Sequence, residues 1–374
     1  MRLCAQIAAQ IRTLGPIPLR DYLEAVLYSP GLGYYSAGAC PFGATGDFVT
    51  APELGELFGR ALACALAPVL ERCSEPVVLE IGGGSGALAG TLLRTLAELE
   101  RLPQRYLMLE RSAELRARQR NRLREQVPLW IDRIEWLDAP PALPFAGAVV
   151  ANEVIDALAP SCFAISAEGD RERAVALDGQ GRFVEVHRTP SRALSQALAR
   201  LRQHGIELPP GYRSEVLPEL PAWLATVTAP LACGVAVFAD YGYGRREYYH
   251  PQRHMGTLVG HYRHHRIDDL FLWPGLVDWS ASVDFTALAE AGQAGGLELI
   301  SYDSQAGFVL GIDPARWLGE LEGMGERERW RVTAELKRLT LPGQMGERFK
   351  LMVLGRGAAA QAWPLDGLGQ RHLL

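Results

Sequence analysis

The feature that most restricts this chain is a short apolar run that ends abruptly in glycine. Val77–Ile81 reads as a strand, Gly82-Gly83-Gly84-Ser85-Gly86 follows at once, and Ala87 opens an apolar helical pattern to about Leu99. A chain that turns from strand to helix over so few residues needs backbone at positive φ, which glycine adopts without steric cost. Strand, turn and helix in that order belong to a parallel sheet covered by helices. The pattern continues downstream. Arg105–Glu110 reads as the next strand, Ala113–Arg124 as a basic helix, and Arg133–Leu137 and Gly147–Asn152 as further strands. The alternation predicts right-handed crossovers.

Around this unit the signals change. Residues 1–30 read as two helices broken at Gly15-Pro16-Ile17-Pro18, Ser29–Gly46 as loop, and 53–72 as helix. A β-hairpin is expected over 160–188, turning near Asp178-Gly179-Gln180-Gly181. Residues 191–228 read as helices punctuated by Pro209-Pro210-Gly211 and Pro218. The sheet resumes at Gly234–Asp240, an irregular stretch rich in His, Tyr and Trp fills 241–283, and Phe285–Ala294 reads as helix. Leu297–Tyr302 and Phe349–Leu354 are the candidate last strands. A chain of 374 residues exceeds what one compact sheet domain needs. The expected organisation is an N-terminal helical segment with a ligand loop (1–72), a catalytic sheet domain (73–157 and 233–357), an inserted substrate lobe (158–232) and a C-terminal tail (358–374).

The glycine turn carries chemistry as well as geometry. Its spacing is G-x-G-x-G with Glu80 two residues ahead, whereas the dinucleotide fingerprint is G-x-G-x-x-G. A pyrophosphate calls for a helix N-terminus and bare N–H groups; a nearby carboxylate opposes it. S-adenosylmethionine carries positive charge at sulfur and at its amino group, and a carboxylate favours it. Glu110, one strand later, has the position of an acid that accepts ribose hydroxyls, in competition with a surface Glu beside a helix that Ser112 can cap. The strand to Asn152 runs into Glu153-Val154-Ile155-Asp156 at the carboxyl edge, where ligands bind in open α/β sheets. An amide and two carboxylates there suit a nitrogen nucleophile or a guanidinium; helix capping explains them equally well. Gly46-Asp47-Phe48 through Pro52-Glu53 is either a helix start or an acidic, aromatic wall for a cationic ligand.

Several function classes recede. A net charge of -5 gives no electrostatic reason for a nucleic-acid partner. Cys4, Cys40, Cys64, Cys73, Cys162 and Cys233 contain no C-x-x-C pair, which argues against a zinc knuckle and a disulfide framework. His261, His264 and His265 sit among arginines, so a basic, aromatic peptide wall suits them better than a metal. No metal is therefore expected. No apolar run approaches the roughly 20 residues that span a bilayer, so no membrane insertion is expected. Arg2, Arg12 and Arg20 without acids have the look of a transit peptide, but Leu3, Ile7, Ile11 and Leu14 recur at helical spacing and favour an amphipathic helix.

Taken together, the motifs resemble the MidA-like methyltransferases over nearly the full length. The resemblance rests on Leu27-Tyr28-Ser29-Pro30, Gly33-Tyr34-Tyr35, Gly46-Asp47-Phe48, Pro52-Glu53, the turn at 80–86 and Glu110-Arg111-Ser112. It extends through Asn152-Glu153, Asp156-Ala157-Leu158, Asp240-Tyr241-Gly242, Gly256-Thr257-Leu258, Val283-Asp284-Phe285-Thr286 and Met345-Gly346-Glu347. Ala159 before Pro160, and Asp268-Asp269, depart from the family pattern. The resemblance implies a class I S-adenosylmethionine-dependent methyltransferase, α/β and Rossmann-like, with seven strands and a reversed last one. It implies S-adenosylmethionine as cofactor, held by Glu80, Gly82, Gly84, Gly86, Glu110 and Asn152, and a catalytic set of Glu153, Asp156 and Asp47. It further implies methylation of an arginine in a partner protein, with a homologue of a respiratory complex I subunit as the candidate. The absence of a convincing presequence and the short N-terminus lead to the expectation of a bacterial, cytoplasmic member. A small-molecule acceptor, a non-catalytic assembly factor and an NAD-dependent dehydrogenase stand as the rivals; the glycine spacing argues against the last.

Overall fold

A computed structural model describes residues 2–36, 50–312, 321–365 and 369–374. The chain divides into two compact units, one from 1–48, 155–220 and 243–284, the other from 49–154, 221–242 and 285–374.

The second unit is built on seven strands: β1 (Pro76–Ile81), β2 (Arg105–Leu109), β3 (Ile134–Leu137), β4 (Phe145–Asn152), β5 (Leu231–Tyr243), β6 (Glu298–Ser304) and β7 (Phe349–Arg356). Their order across the sheet is β6-β7-β5-β4-β1-β2-β3. The pairs among β1 to β5 are parallel, while β7 runs antiparallel to both β5 and β6. This is the expected Rossmann-like methyltransferase sheet, reversed strand included. β1 and β4 are apolar along almost their whole length, with Val78, Leu79, Val149 and Val150 buried, as a sheet covered on both faces requires. Leu57–Glu71 supplies the main covering helix; Phe58, Leu62, Leu66 and Val69 lie in the same core as Val78 and Val150.

The register decides where chemistry happens. Ile81 stands opposite both Leu109 and Ala151, and Ala239 stands opposite Asn152. The carboxyl ends of β1, β2, β4 and β5 are therefore level, so Glu80, Glu110, Glu153 and Asp240 arrive at one edge of the sheet.

The first unit begins with helices Arg2–Leu14 and Leu19–Tyr28, separated by Ile17–Pro18, which pairs with Ala174 and Val175. Tyr22, Leu23 and Val26 pack with Val175, Val277 and Trp279. Its larger sheet contains Ser161–Ser166, Gly169–Leu177, Phe183–Arg188 and Arg213–Val216. Residues 160–188 are thus a three-stranded meander, not a single hairpin. The strand at Arg213–Val216 lies where the sequence reads as helix, and 241–283 contains a small antiparallel sheet of Val259–Tyr262, His265–Ile267 and Asp278–Ser280.

Three boundaries depart from expectation. Residues 50–72 belong with the seven-stranded unit, because the Leu57–Glu71 helix is apolar on most sides and covers the sheet. Residues 243–284 belong with the other unit, where Tyr248 and Tyr249 join Phe163, Leu194 and Tyr212 in one core. Within the expected C-terminal tail, Ala359, Ala360 and Trp363 are buried, and Trp363 stacks on Phe308 at 6.2 Å.

Candidate functional site

The turn between β1 and the helix Ala87–Glu98 is left-handed at three glycines, with φ of 63° at Gly82, 51° at Gly84 and 86° at Gly86. Side chains are disfavoured in that backbone region. The Gly82 N–H donates to Leu109 O at 3.0 Å and the Gly86 N–H to Gly83 O at 2.8 Å, so the turn is fastened to β2 and closed on itself. A Cβ on Gly82 would stand 3.1 Å from Val154 Cγ2, which locates the chain just beyond β4 against the start of the turn.

Two carboxylates lie at this end. Glu80 is buried and accepts from the Tyr106 hydroxyl at 2.8 Å. Burial pushes its pKa up to about 7, against the lowering effect of the Tyr106 hydrogen bond, with Glu110 adding a further push. Glu110 is also buried: Oε1 accepts from the Ser112 N–H at 2.9 Å and Oε2 from Gln119 Nε2 at 3.2 Å. Burial raises its pKa while Ser112, Gln119 and Arg116 oppose the rise. The surface-acid reading of Glu110 fails on this burial. The next helix is capped by Ser112, whose Oγ accepts from the Leu115 N–H at 3.3 Å.

At the end of β4, Glu153 is a non-glycine residue at φ 52°. Its N–H donates to Ala239 O at 2.8 Å and its Oε1 accepts from Asn152 Nδ2 at 3.1 Å. A left-handed glutamate costs on the order of 1 kcal/mol, and such strain concentrates at functional positions. Asp156 falls in the other compact unit, where its carbonyl accepts from the Ala281 N–H at 3.1 Å. Asp47 lies outside the described residues. Glu53 pairs with Arg122 at 3.1 Å and accepts from Ser85 Oγ, so its carboxylate braces the glycine turn instead of facing a cationic ligand.

The structure thus brings together Glu80, Gly82, Gly84, Gly86, Glu110 and the Asn152–Glu153 pair. It adds Gln119, which the sequence reading missed. The signal was present: Leu115, Gln119 and Leu123 recur every four residues and are the buried stripe of helix Ala113–Gln126. A polar residue on such a stripe needs partners. Gln119 finds three: Gly84, Glu110 and Trp136. His261, His264 and His265 occupy an antiparallel hairpin, with Arg263 5.3 Å from the Tyr262 ring centre and Trp273 4.9 Å beyond Tyr262. Among the described residues no cluster of His, Cys, Asp or Glu is placed to hold a metal, and no helix is long and apolar enough to cross a membrane.

The donor set fits S-adenosylmethionine. Glu80 and Glu110 give the edge negative character, Glu110 offers carboxylate oxygens to hydroxyl donors, and the bare turn admits close approach of a ligand. Arg122, the cation beside Ser85, is held by Glu53 and is a poor candidate for binding a pyrophosphate.

Comparison with known proteins agrees. A family profile described as S-adenosyl-L-methionine-dependent methyltransferase matches residues 61–302. Two curated relatives carry the name protein arginine methyltransferase NDUFAF7, mitochondrial. The Rattus norvegicus protein is 28% identical over 92% of this chain and 82% of its own length, and the Homo sapiens protein 28% over 92% and 81%. A crystal structure of a superfamily member from Burkholderia thailandensis, bound to S-adenosyl-homocysteine, is 41% identical, with a TM-score of 0.92 over 100% of this chain and 96% of the other.

Proposed function

We propose that this chain, which belongs to the S-adenosyl-L-methionine-dependent methyltransferase family, delivers its methyl group to a guanidinium nitrogen of an arginine in a partner protein. The observation that carries the reading is Glu153, a carboxylate in strained backbone at the end of β4, hydrogen-bonded to Asn152 and adjoining the glycine turn. The relatives' name supports the arginine acceptor and, with it, a protein partner.

S-adenosylmethionine would supply an electrophilic methyl carbon on its sulfonium and leave as S-adenosylhomocysteine. Gly82, Gly84 and Gly86 would leave room for it, Glu110 would accept the ribose hydroxyls, and Glu80 would lend negative charge. Glu153 would accept hydrogen bonds from the guanidinium, balance its charge and orient the nitrogen. Much of the acceleration comes from this positioning. An arginine keeps its proton at neutral pH, so the proton departs during or after transfer, towards Glu153 and then solvent.

Incubation of the protein with methyl-labelled S-adenosylmethionine and a cell lysate tests it. Label recovered as mono- or dimethylarginine after hydrolysis of the protein fraction supports the reading. Label confined to small molecules, or to other residues, overturns it.

A further inference from the structure

Gln119 has no measurable exposure, yet it carries an amide. Its Oε1 accepts from Trp136 Nε1 at 3.0 Å. An indole nitrogen only donates, so the amide oxygen must face Trp136 and the NH2 must face the other way. That NH2 has two hydrogens and two acceptors: the Gly84 carbonyl at 2.9 Å and Glu110 Oε2 at 3.2 Å. One side chain therefore ties the middle of the glycine turn to the acid at the end of β2. Arg120 lies over the Trp136 ring at 4.8 Å, on the far side of the chain of contacts from Glu110.

Two consequences follow from elementary geometry. A trans peptide points its C=O and N–H in opposite directions, so drawing the Gly84 carbonyl to Gln119 turns the Ser85 N–H away from Gln119. Glu110 is pinned at both oxygens, by Ser112 and by Gln119, which leaves its carboxylate plane little freedom. A preoriented acceptor loses less entropy on binding than a swinging one.

We infer that Gln119 is a positioning residue: it sets the carboxylate plane of Glu110 and the peptide plane after Gly84, and through them the discrimination of the site for a ligand with an intact ribose. The inference rests on the reading of Glu110 as the ribose acceptor, and the test separates the two.

The measurement is calorimetric affinity of the purified protein for S-adenosylhomocysteine and for its 2′,3′-dideoxyribose analogue. The parent is expected to prefer the intact ribose by about thirtyfold to a thousandfold, the worth of two charge-assisted hydrogen bonds. Glu110→Ala should erase the preference; if the parent shows none, or Glu110→Ala keeps it, the ribose assignment itself fails. Gln119→Leu should weaken S-adenosylhomocysteine by about tenfold and shrink the preference to within about threefold. A residue that merely packs the helix would weaken both ligands equally, and an unchanged ratio overturns the inference. Should Gln119→Leu not fold, Trp136→Phe frees the amide oxygen and gives the same readout: a reduced ratio supports the positioning role, an unchanged one opposes it.

Discussion

The two ends of the proposed reaction are built differently. At the cofactor end, Glu80, Glu110 and Gln119 are buried and hydrogen-bonded within one compact unit, and left-handed turns fall on glycine, where they cost little. At the acceptor end, the left-handed residue is Glu153, which is not a glycine and sits at φ 52°. A ligand shared across a family is met by a relaxed, preorganised cradle. The acceptor proposed here would meet Glu153, a carboxylate on strained backbone. Each variant below breaks one side of that contrast and leaves the other intact.

The largest effect is expected at the turn. Gly84 sits at φ 51°, a region closed to β-branched residues, so Gly84→Val must distort the backbone that meets the ligand. Calorimetry should find S-adenosylhomocysteine affinity lowered by about a thousandfold or more, while the circular dichroism of the fold persists. Affinity within about tenfold of the parent would show that the ligand does not approach this backbone.

Glu153→Gln is the reciprocal variant. It keeps size and the hydrogen bond from Asn152 but removes the charge. Methyl transfer should fall by about a hundredfold, with S-adenosylhomocysteine affinity within about threefold of the parent. Loss of affinity would move Glu153 to the cofactor side; unchanged transfer would leave it a strained turn residue after β4. Glu153→Gly sharpens the point, since it should lose transfer yet gain about 1 kcal/mol of stability by relieving the backbone.

The same contrast explains what the sequence disclosed. The glycine turn, the strands beside it and Glu110 are local patterns, and they are legible because strand, turn and helix follow one another directly. Gln119 was missed, although its place as a polar residue on a buried stripe could have shown it. What else escaped depends on distant partners. Arg213–Val216 reads poorly as a strand because Ser214 and Glu215 are fully buried polar residues, made tolerable only when Glu215 accepts the N–H groups of Thr257 and Leu258. The strands of 259–280 are three or four residues long, too short for a period to show. Glu335 accepts from the Leu57 N–H at 2.7 Å across 278 residues of sequence, serving a helix start whose own preceding residue makes no side-chain cap. No local window contains that pair.

The last variant touches stability and not catalysis, and its effect on the slope of stability against pH isolates Glu80. Its pKa is about 7 in the folded protein, against an ordinary value of 4.5, chiefly because burial penalises the charged form. Below pH 4.5 the acid is protonated in both folded and unfolded chains and has no effect on stability's slope. Between 4.5 and 7 the unfolded chain gives up its proton while the folded protein keeps it, so the folded state binds more protons and stability falls as pH rises. Above about 7 both are ionised and the loss is complete, at about 3 kcal/mol. Glu335, pushed up to about 6 by burial, adds a loss of the same sign, so the whole curve does not identify Glu80. The comparison between parent and Glu80→Gln does. Glutamine can still accept from Tyr106 but does not titrate, so the variant should lose less stability between pH 5 and pH 7.5, by about 2 kcal/mol in denaturant unfolding. Saturating S-adenosylmethionine should also flatten the parent's curve, because a bound cation favours ionised Glu80 and lowers its pKa. Parallel curves for parent and variant would mean that Glu80 is charged in the folded protein at all these pH values, and that Tyr106 alone suffices to hold a buried carboxylate beside the glycine turn.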